Sequence, residues 1–354
     1  MDTSWMQQVK ETDRQTAFLA EQRLNALLKP LGSLGILEET AIRLAGICHT
    51  PKPKLEKACL LIFAADHGIT EEGVSSAPKG YTALQTKCIL QGVTGAGVLA
   101  RKHQMDLRVI DVGIDADLEE PGLICEKVRR GSGNLLKEDA MRHEELLLAL
   151  EAGFHQVQWA KEAGYAVIGV GEMGIGNTTP SCAMLRAFHP EIPLLSLVGK
   201  GCGLTEEGYL HKVEVVEEAV RRRRPDPESP LEVLQRVGGL EIAAMTGCYL
   251  AAAHFGMPVI IDGLISMAAA YVAWKTNPKI RPYLFASHSS AEPGWQVMAR
   301  EMGLAAPLHL QMRLGEGSGC PLMLSLMRDA CSVLNEMATF DEMGMSGDFL
   351  VEIR

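Results

Sequence analysis

The middle of the chain alternates short, nearly continuous apolar runs with longer stretches in which apolar residues recur every three or four positions. Six runs read as strands: Ala58–Ala65 (ACLLIFAA), Leu107–Gly113 (LRVIDVG), Ala166–Gly171 (AVIGVG), Leu194–Val198 (LLSLV), Pro258–Asp262 (PVIID) and Tyr283–Ser287 (YLFAS). Such runs suit a parallel sheet covered on both faces. The stretches Arg142–Glu162, Glu206–Arg223 and Leu240–Phe255 are long enough for helical crossovers, so the order predicts an open, doubly wound α/β domain. The two ends differ. Residues up to about Leu28 read as amphipathic helix until Lys29-Pro30, Pro321–Met337 reads as another helix, and no strand is predicted beyond Ser287. Together the ends predict a small helical subdomain.

Polar residues and glycines collect where the predicted strands end: Asp66-His67-Gly68, Asp111-Val112-Gly113, Gly171-Glu172, Gly199-Lys200-Gly201, Asp262-Gly263 and Ser287-His288-Ser289-Ser290. Ligands of open α/β sheets bind beyond the carboxyl ends of the strands. Composition narrows what the ligand can be. Of 354 residues, 47% are hydrophobic and 22% charged, which excludes a disordered chain. Acidic residues outnumber basic ones by 44 to 34, which disfavours nucleic acid as partner. The nine cysteines form no C-x-x-C pair, so buried thiols in a reducing cytoplasm are expected rather than disulfides or a zinc site. The most apolar stretch, Met257–Trp274, contains Asp262 and Gly263, which argues against a membrane span. The start, MDTSWMQQVKETDRQ, has no cationic region followed by an apolar one, so no signal peptide is expected.

Four motifs carry candidate chemistry. Gly169-x-Gly171-x-x-Gly174 follows a strand and has Glu191 about twenty residues on, as a dinucleotide fingerprint does. Yet it follows the third predicted strand, and the loop runs on through Gly176-Asn177-Thr178-Thr179 before Pro180, read as the first helical residue. An anion-binding loop capped by Thr178 or Thr179 is the alternative, and a plain structural turn the third. Gly199-Lys200-Gly201-Cys202-Gly203 is a second loop open to a phosphate or a flat ring, but it lacks the Ser/Thr of a P-loop. Asp66-His67-Gly68 reads as a turn with a satisfied histidine or as a wall of the site. In Arg313-Leu314-Gly315-Glu316-Gly317-Ser318-Gly319 a single carboxylate stands among three glycines before an apolar helix. It reads either as a general base approached by a flat substrate or as a helix-capping turn. The run Arg221–Arg224 reads as a solvated helix end paired with Glu217 and Glu218.

Taken together these segments resemble the nicotinate-nucleotide:dimethylbenzimidazole phosphoribosyltransferase family. The resemblance runs through Lys29-Pro30-Leu31-Gly32-Ser33-Leu34-Gly35, Ala64-Ala65-Asp66-His67-Gly68, Glu72-Gly73-Val74-Ser75, Val112-Gly113-Ile114-Asp115, Gly171 to Thr179, Gly199 to Gly203, Asp262-Gly263, Ser287 to Gly294 and Leu314 to Gly319. It implies a Rossmann-like large domain at 29–305 and a small helical domain from 1–28 and 306–354. It implies a homodimer in which the small domain helps close the neighbouring site, with no cofactor and no metal. The implied reaction moves the phosphoribosyl group of nicotinate mononucleotide onto 5,6-dimethylbenzimidazole or a related base.

The family's catalytic carboxylate falls on Glu316 and a second one on Glu172. The loops Gly174 to Thr179 and Gly199 to Gly203 are read as the phosphate and ribose candidates, through Gly174, Gly176, Asn177, Thr178, Thr179, Lys200, Gly201 and Gly203, with Asp262, Gly263, Ser289 and Ser290 as further donor-binding candidates; Lys212, which agrees with a family position near the nucleotide, and Lys200 are the candidate cations. Base-binding positions fall on Ser76, Pro78, Tyr81, Gln85, Leu314 and Gly315. Lys79-Gly80-Tyr81 and Cys202 depart from the commoner family versions and bear on which base is preferred. The rival readings are a NAD-dependent oxidoreductase built on the Gly169–Gly174 loop and a nucleotide-binding protein without turnover.

Overall fold

The computed structural model describes residues 3–78, 80–201, 203–347 and 351. Lys79, from the departing Lys79-Gly80-Tyr81 segment, and Cys202 lie outside the described residues. Six strands form one fully parallel sheet: β1 (Ala58–Ala65), β2 (Asp106–Gly113), β3 (Leu123–Cys125), β4 (Val167–Met173), β5 (Val259–Ile261) and β6 (Leu284–Ala286), in the order β3-β2-β1-β4-β5-β6. The chain leaves β1 toward β2 and β3, then crosses back to lay β4 on the other side. This places the topological switch point between β1 and β4. Pairing of Phe63 with Glu172, Val170 with Ile261, and Ile261 with Ala286 brings the carboxyl ends of β1, β4, β5 and β6 to a common edge.

β1 and β4 are buried along their whole length, as their unbroken apolar sequences require. The predicted strand at Leu194–Val198 is absent. Residues Leu194–Ser196 form a single 3-10 turn after Pro193, and Leu195 is 58% exposed, which no central strand position tolerates. β3 escaped the pattern because it is a three-residue, half-exposed edge strand. The helix after β4 begins at Thr178 rather than at Pro180. Its cap is Asn177, without a side-chain hydrogen bond, so neither threonine caps it.

Helices His143–Glu162 and Leu240–Phe255 cover one face and cross closely. A Cβ at Gly153 would stand 1.9 Å from the Ala244 carbonyl oxygen, and one at Gly247 2.1 Å from that of Leu150. A second, smaller apolar cluster joins helix Arg14–Ala26 (Ala20, Leu24), Leu27, helix Ile36–Cys48 (Ala41, Ala45) and helix Cys320–Glu336 (Ala330, Leu334). The ends are tied further by Leu28 N–H donating to the Ala338 carbonyl at 2.9 Å, and a buried Lys29–Glu38 ion pair at 2.8 Å fixes the turn into helix Ile36–Cys48. No helix among the described residues is long and apolar enough to cross a membrane.

Candidate active site

A cavity of about 280 Å³ opens at the carboxyl ends of β4, β5 and β6. Its centre is the Gly315-Glu316-Gly317 turn, where three successive residues have positive φ of 81°, 60° and 78°. Glycine adopts that region freely. Glu316 does so at a cost of roughly 1–3 kcal/mol that the surroundings must offset. Asp262, at the end of β5, supplies part of the offset: its carboxylate accepts from Gly317 N–H at 3.0 Å and Gly319 N–H at 2.7 Å. Burial pushes the Asp262 pKa up, opposed by nearby His288 and by these N–H groups.

The same turn explains the glycines of β4. A Cβ at Gly171 would lie 2.5 Å from Gly317 N, and one at Gly169 2.6 Å from the Cys320 Cβ. The chain's own segment 316–320 therefore fills the space that a dinucleotide pyrophosphate would need over these two positions. Gly174 is needed for another close approach, with Ala65 O 2.7 Å from its would-be Cβ. The G-x-G-x-x-G pattern here is a packing motif.

Two carboxylates meet at the turn. Glu316 is buried; its Oε1 accepts from Gln85 Nε2 at 2.5 Å and its Oε2 from Ala96 N–H at 3.3 Å, in the first turn of helix Gly95–Lys102. Glu172, from β4, accepts from Asn177 Nδ2 and, at 3.4 Å, from Glu316 N–H. Burial pushes the Glu172 pKa up to about 8; Asn177 opposes the shift, while the charges of Glu241 and Asp262 add to it. Gly315 must lack a side chain, because a Cβ there would come within 2.5 Å of Glu172 Oε1.

Lys212 lies outside the lining, and its side chain is completely buried. It donates to Thr178 Oγ1 at 2.8 Å and to the Gly199 carbonyl at 3.0 Å, and no carboxylate forms an ion pair with it among the described residues. Thr178, Gly201, Ser290 and Glu292 line the cavity beside it. Glu292 accepts from Gly201 N–H at 3.2 Å through Oε1, while its buried Oε2 has no hydrogen-bond partner among the described residues.

Of the residues singled out from sequence, Glu316, Glu172, Gly174, Asn177, Thr178, Gly201, Gly263, Ser290, Tyr81, Gln85, Leu314 and Gly315 line this one cavity. Asp262 and Lys212 act from beneath it. The others stand apart. Lys200 is paired with Glu206 at 2.7 Å and, with Gly203, lines a neighbouring groove. Thr179 is fully buried, Gly176 sits over Thr70, Ser289 Oγ accepts from Gln296 at 2.5 Å, and Ser76 and Pro78 lie in the preceding loop outside the lining. Sequence reasoning missed Met173, Ile175, Leu264, Ile265, Ser266, His288, Glu292 and Arg313. Several of these directly adjoin residues that were singled out.

His67 is a satisfied core histidine, with Nε2 2.7 Å from Glu241 Oε1 and Nδ1 3.2 Å from Ser132 Oγ. The arginine run is a paired helix end, but through Glu218 alone of the two expected partners: Glu218 binds both Arg221 and Arg222 at 2.6 Å, whereas Glu217 pairs with Arg186 at 2.9 Å.

A family model described as phosphoribosyltransferase matches residues 9–345. The nicotinate-nucleotide–dimethylbenzimidazole phosphoribosyltransferase of Clostridium perfringens is 43% identical over 346 residues, which span 98% of this chain and 96% of that protein. The protein of the same name from Geobacter sulfurreducens is 43% identical over 349 residues, 98% and 99% of the two chains. The crystal structure of CobT from Thermus thermophilus superposes with a TM-score of 0.90 at 39% identity, covering 94% of this chain and 99% of that one. The chain belongs to the nicotinate-nucleotide–dimethylbenzimidazole phosphoribosyltransferase family.

Proposed function

We propose that this cavity transfers the 5-phosphoribosyl group of nicotinate mononucleotide to 5,6-dimethylbenzimidazole or a related base. The products are α-ribazole 5′-phosphate and nicotinate, in the synthesis of the cobalamin lower ligand. The observation that carries the reading is Glu316, a buried carboxylate forced onto a positive-φ turn at the cavity wall and oriented through both oxygens by Gln85 and Ala96 N–H.

In the donor, the C1′–N bond joins the sugar to a pyridinium. When it breaks, its electron pair neutralises the ring nitrogen. The benzimidazole nitrogen attacks C1′ from the opposite face, inverting β to α, and the base's N–H proton passes to Glu316. A single positioned base of this kind contributes about 10²–10⁴-fold, and alignment of the two rings supplies much of the rest. Tyr81, Gln85, Met173, Ile175 and Leu314 form the flat, largely apolar wall suited to the acceptor. Lys212 and Thr178, beside Gly201, form a nest for the donor phosphate. Glu172, protonated at neutral pH, keeps one negative charge away from an anionic donor.

The working form in this reading is a cytoplasmic homodimer with a large domain at 29–305 and a small helical one from 1–28 and 306–354. The exposed apolar side chains Tyr81, Leu84, Val98 and Leu314, gathered on the elements that carry the acceptor wall, support coverage by a second copy. The buried cysteines, none of them in a disulfide among the described residues, support a reducing compartment.

The test is chromatography with mass detection on purified protein, nicotinate mononucleotide and a panel of bases. Free nicotinate plus a ribosyl-base phosphate is the expected result. Mononucleotide binding without product from any base would reduce the protein to a nucleotide binder.

A further inference from the structure

His288 is a buried side chain of the cavity whose free edge the reaction scheme leaves unused. The residue is 2% exposed and lines the cavity floor. Its Nδ1 edge is committed: it lies 2.9 Å from Ser287 Oγ, 3.9 Å from Asp262 Oδ1, and 2.3 Å from where a Cβ on Gly319 would stand. Its Nε2 has no hydrogen-bond partner among the described residues, and that is the edge left for the cavity.

Beside it begins helix Leu264–Thr276. The cap, Gly263, offers no side-chain acceptor, and Gly263, Leu264, Ile265 and Ser266 all line the same floor. An uncapped helix start presents N–H groups and the positive end of the helix dipole. The floor therefore holds a second receiver for negative charge, built from other residues than the Lys212 nest.

Resting on the proposed function, we infer that His288 Nε2–H and the start of helix Leu264–Thr276 bind the carboxylate of the nicotinate ring. The donor carries two anionic groups. The Lys212–Thr178–Gly201 nest takes the phosphate, which leaves the carboxylate for the floor. Ser287 and Asp262 hold the imidazole with Nε2 toward the substrate. The site thereby selects the acid over the corresponding amide, and it anchors the leaving group while the acceptor approaches from the Glu316 wall.

Calorimetric binding of nicotinate mononucleotide and of nicotinamide mononucleotide tests this, alongside the turnover assay. The wild type should prefer the acid at least tenfold. H288N, whose side-chain nitrogen matches only the Nδ1 edge, should weaken the acid about tenfold or more and leave the amide within twofold. H288Q, whose amide reaches toward the Nε2 position, should recover much of the loss. KM for the base should not move in either variant. The inference is overturned if the wild type shows no preference, a result that needs no variant to fold. It is also overturned if both donors weaken equally in H288N, or if the preference persists there. If nicotinate riboside, which lacks the phosphate, is the only donor insensitive to H288N, the floor binds phosphate and the carboxylate assignment falls. A wild type that binds the acid selectively but releases no nicotinate with any base would instead sink the transferase reading.

Discussion

Two clefts open at the carboxyl edge of this sheet, and they handle charge in opposite ways. The cleft around Asp66 and His67, about 320 Å³, is lined by Arg129, Arg130, Lys137, Glu71 and Glu138. Nearly every charge there has its counterpart: Arg130 with Asp117, Lys137 with Glu71 at 2.8 Å, Arg129 with Glu145 at 3.4 Å, and His67 with Glu241 at 2.7 Å. In the Glu316 cavity Lys212 has no carboxylate, Glu292 Oε2 no donor, and His288 Nε2 no partner among the described residues. A buried polar group without a partner costs free energy, and a molecule bound in the cavity would offset that cost. Both clefts hold titratable residues; the paired one leaves Glu241 Oε2 without a hydrogen-bond partner among the described residues but matches its charges, whereas the Glu316 cavity leaves Glu292 Oε2 and His288 Nε2 open and Lys212 without a counter-charge.

The largest effect that can break this contrast is on turnover. Glu316→Gln should lower kcat by about 10²–10⁴-fold while leaving the melting temperature nearly unchanged, because its amide oxygen can still accept from Ala96 N–H and its NH2 can donate to the side-chain oxygen of Gln85 once that amide flips. Steady-state kinetics beside a thermal melt decide it; near-wild-type kcat would remove the general base from Glu316.

Glu172 gives the next effect, on stability against pH. Its folded pKa of about 8 stands above the ordinary 4.5, so the folded chain holds a proton that the unfolded chain releases. This contribution is complete below pH 4.5 and is lost as pH rises from there through 8. Relative to Glu172→Gln, the wild type should lose on the order of a few kcal/mol between pH 5 and pH 8.5. Urea melts of both proteins at the two pH values check it, since other titrations cancel in the difference. Parallel curves would show that Glu172 is ionised throughout.

Breaking the paired cleft should act first on stability. Glu241→Met removes one member of a buried pair and leaves His67 without its partner, at about 3 kcal/mol. Glu241 also contributes to the raised Glu172 pKa, so the midpoint of the Glu172 titration should fall in the same variant. An undiminished melting temperature would show that the pairing contributes nothing to the fold.

The uneven legibility of the sequence follows from the same physics. β1, β2, β4, β5 and β6 could be read because a strand buried on both faces must be apolar throughout. Leu194–Val198 has that composition but follows Pro193 and exposes Leu195, facts of tertiary placement. Glycines announce close approach without naming what approaches: at Gly169 and Gly171 it is the chain's own segment 316–320, not a ligand. Glu316 was legible because its glycine neighbours are dictated locally by positive φ. Lys212 was not legible from pattern, and only the family resemblance pointed to it. It sits in a helix with polar neighbours, and its burial arises only when Glu206–Arg223 packs on Thr178–Phe188. His288 and Glu292 stood in plain view in the Ser287–Gly294 segment, but the direction of a side chain is not written in its neighbours.

Lys212 allows the finest cut between the two clefts, because stability and binding should move in opposite senses. A fully buried ammonium carries a desolvation penalty, and here two neutral oxygens, Thr178 Oγ1 and Gly199 O, compensate it in place of a carboxylate. Replacing it by methionine, similar in length and apolar, removes that penalty, so the melting temperature of Lys212→Met should hold or rise. The donor phosphate loses its buried cation, and KM for nicotinate mononucleotide should increase about 10–100-fold, the size of a charge-assisted hydrogen bond or two. KM for the base should stay where it is, since Tyr81, Gln85 and Leu314 line the cavity while Lys212 lies behind Thr178, outside the lining. If Lys212→Met instead unfolds the protein while donor binding in surviving molecules is intact, Lys212 belongs with His67 and Glu241 among the groups that hold the fold. The charge that receives the phosphate must then be sought at Arg313, on the rim.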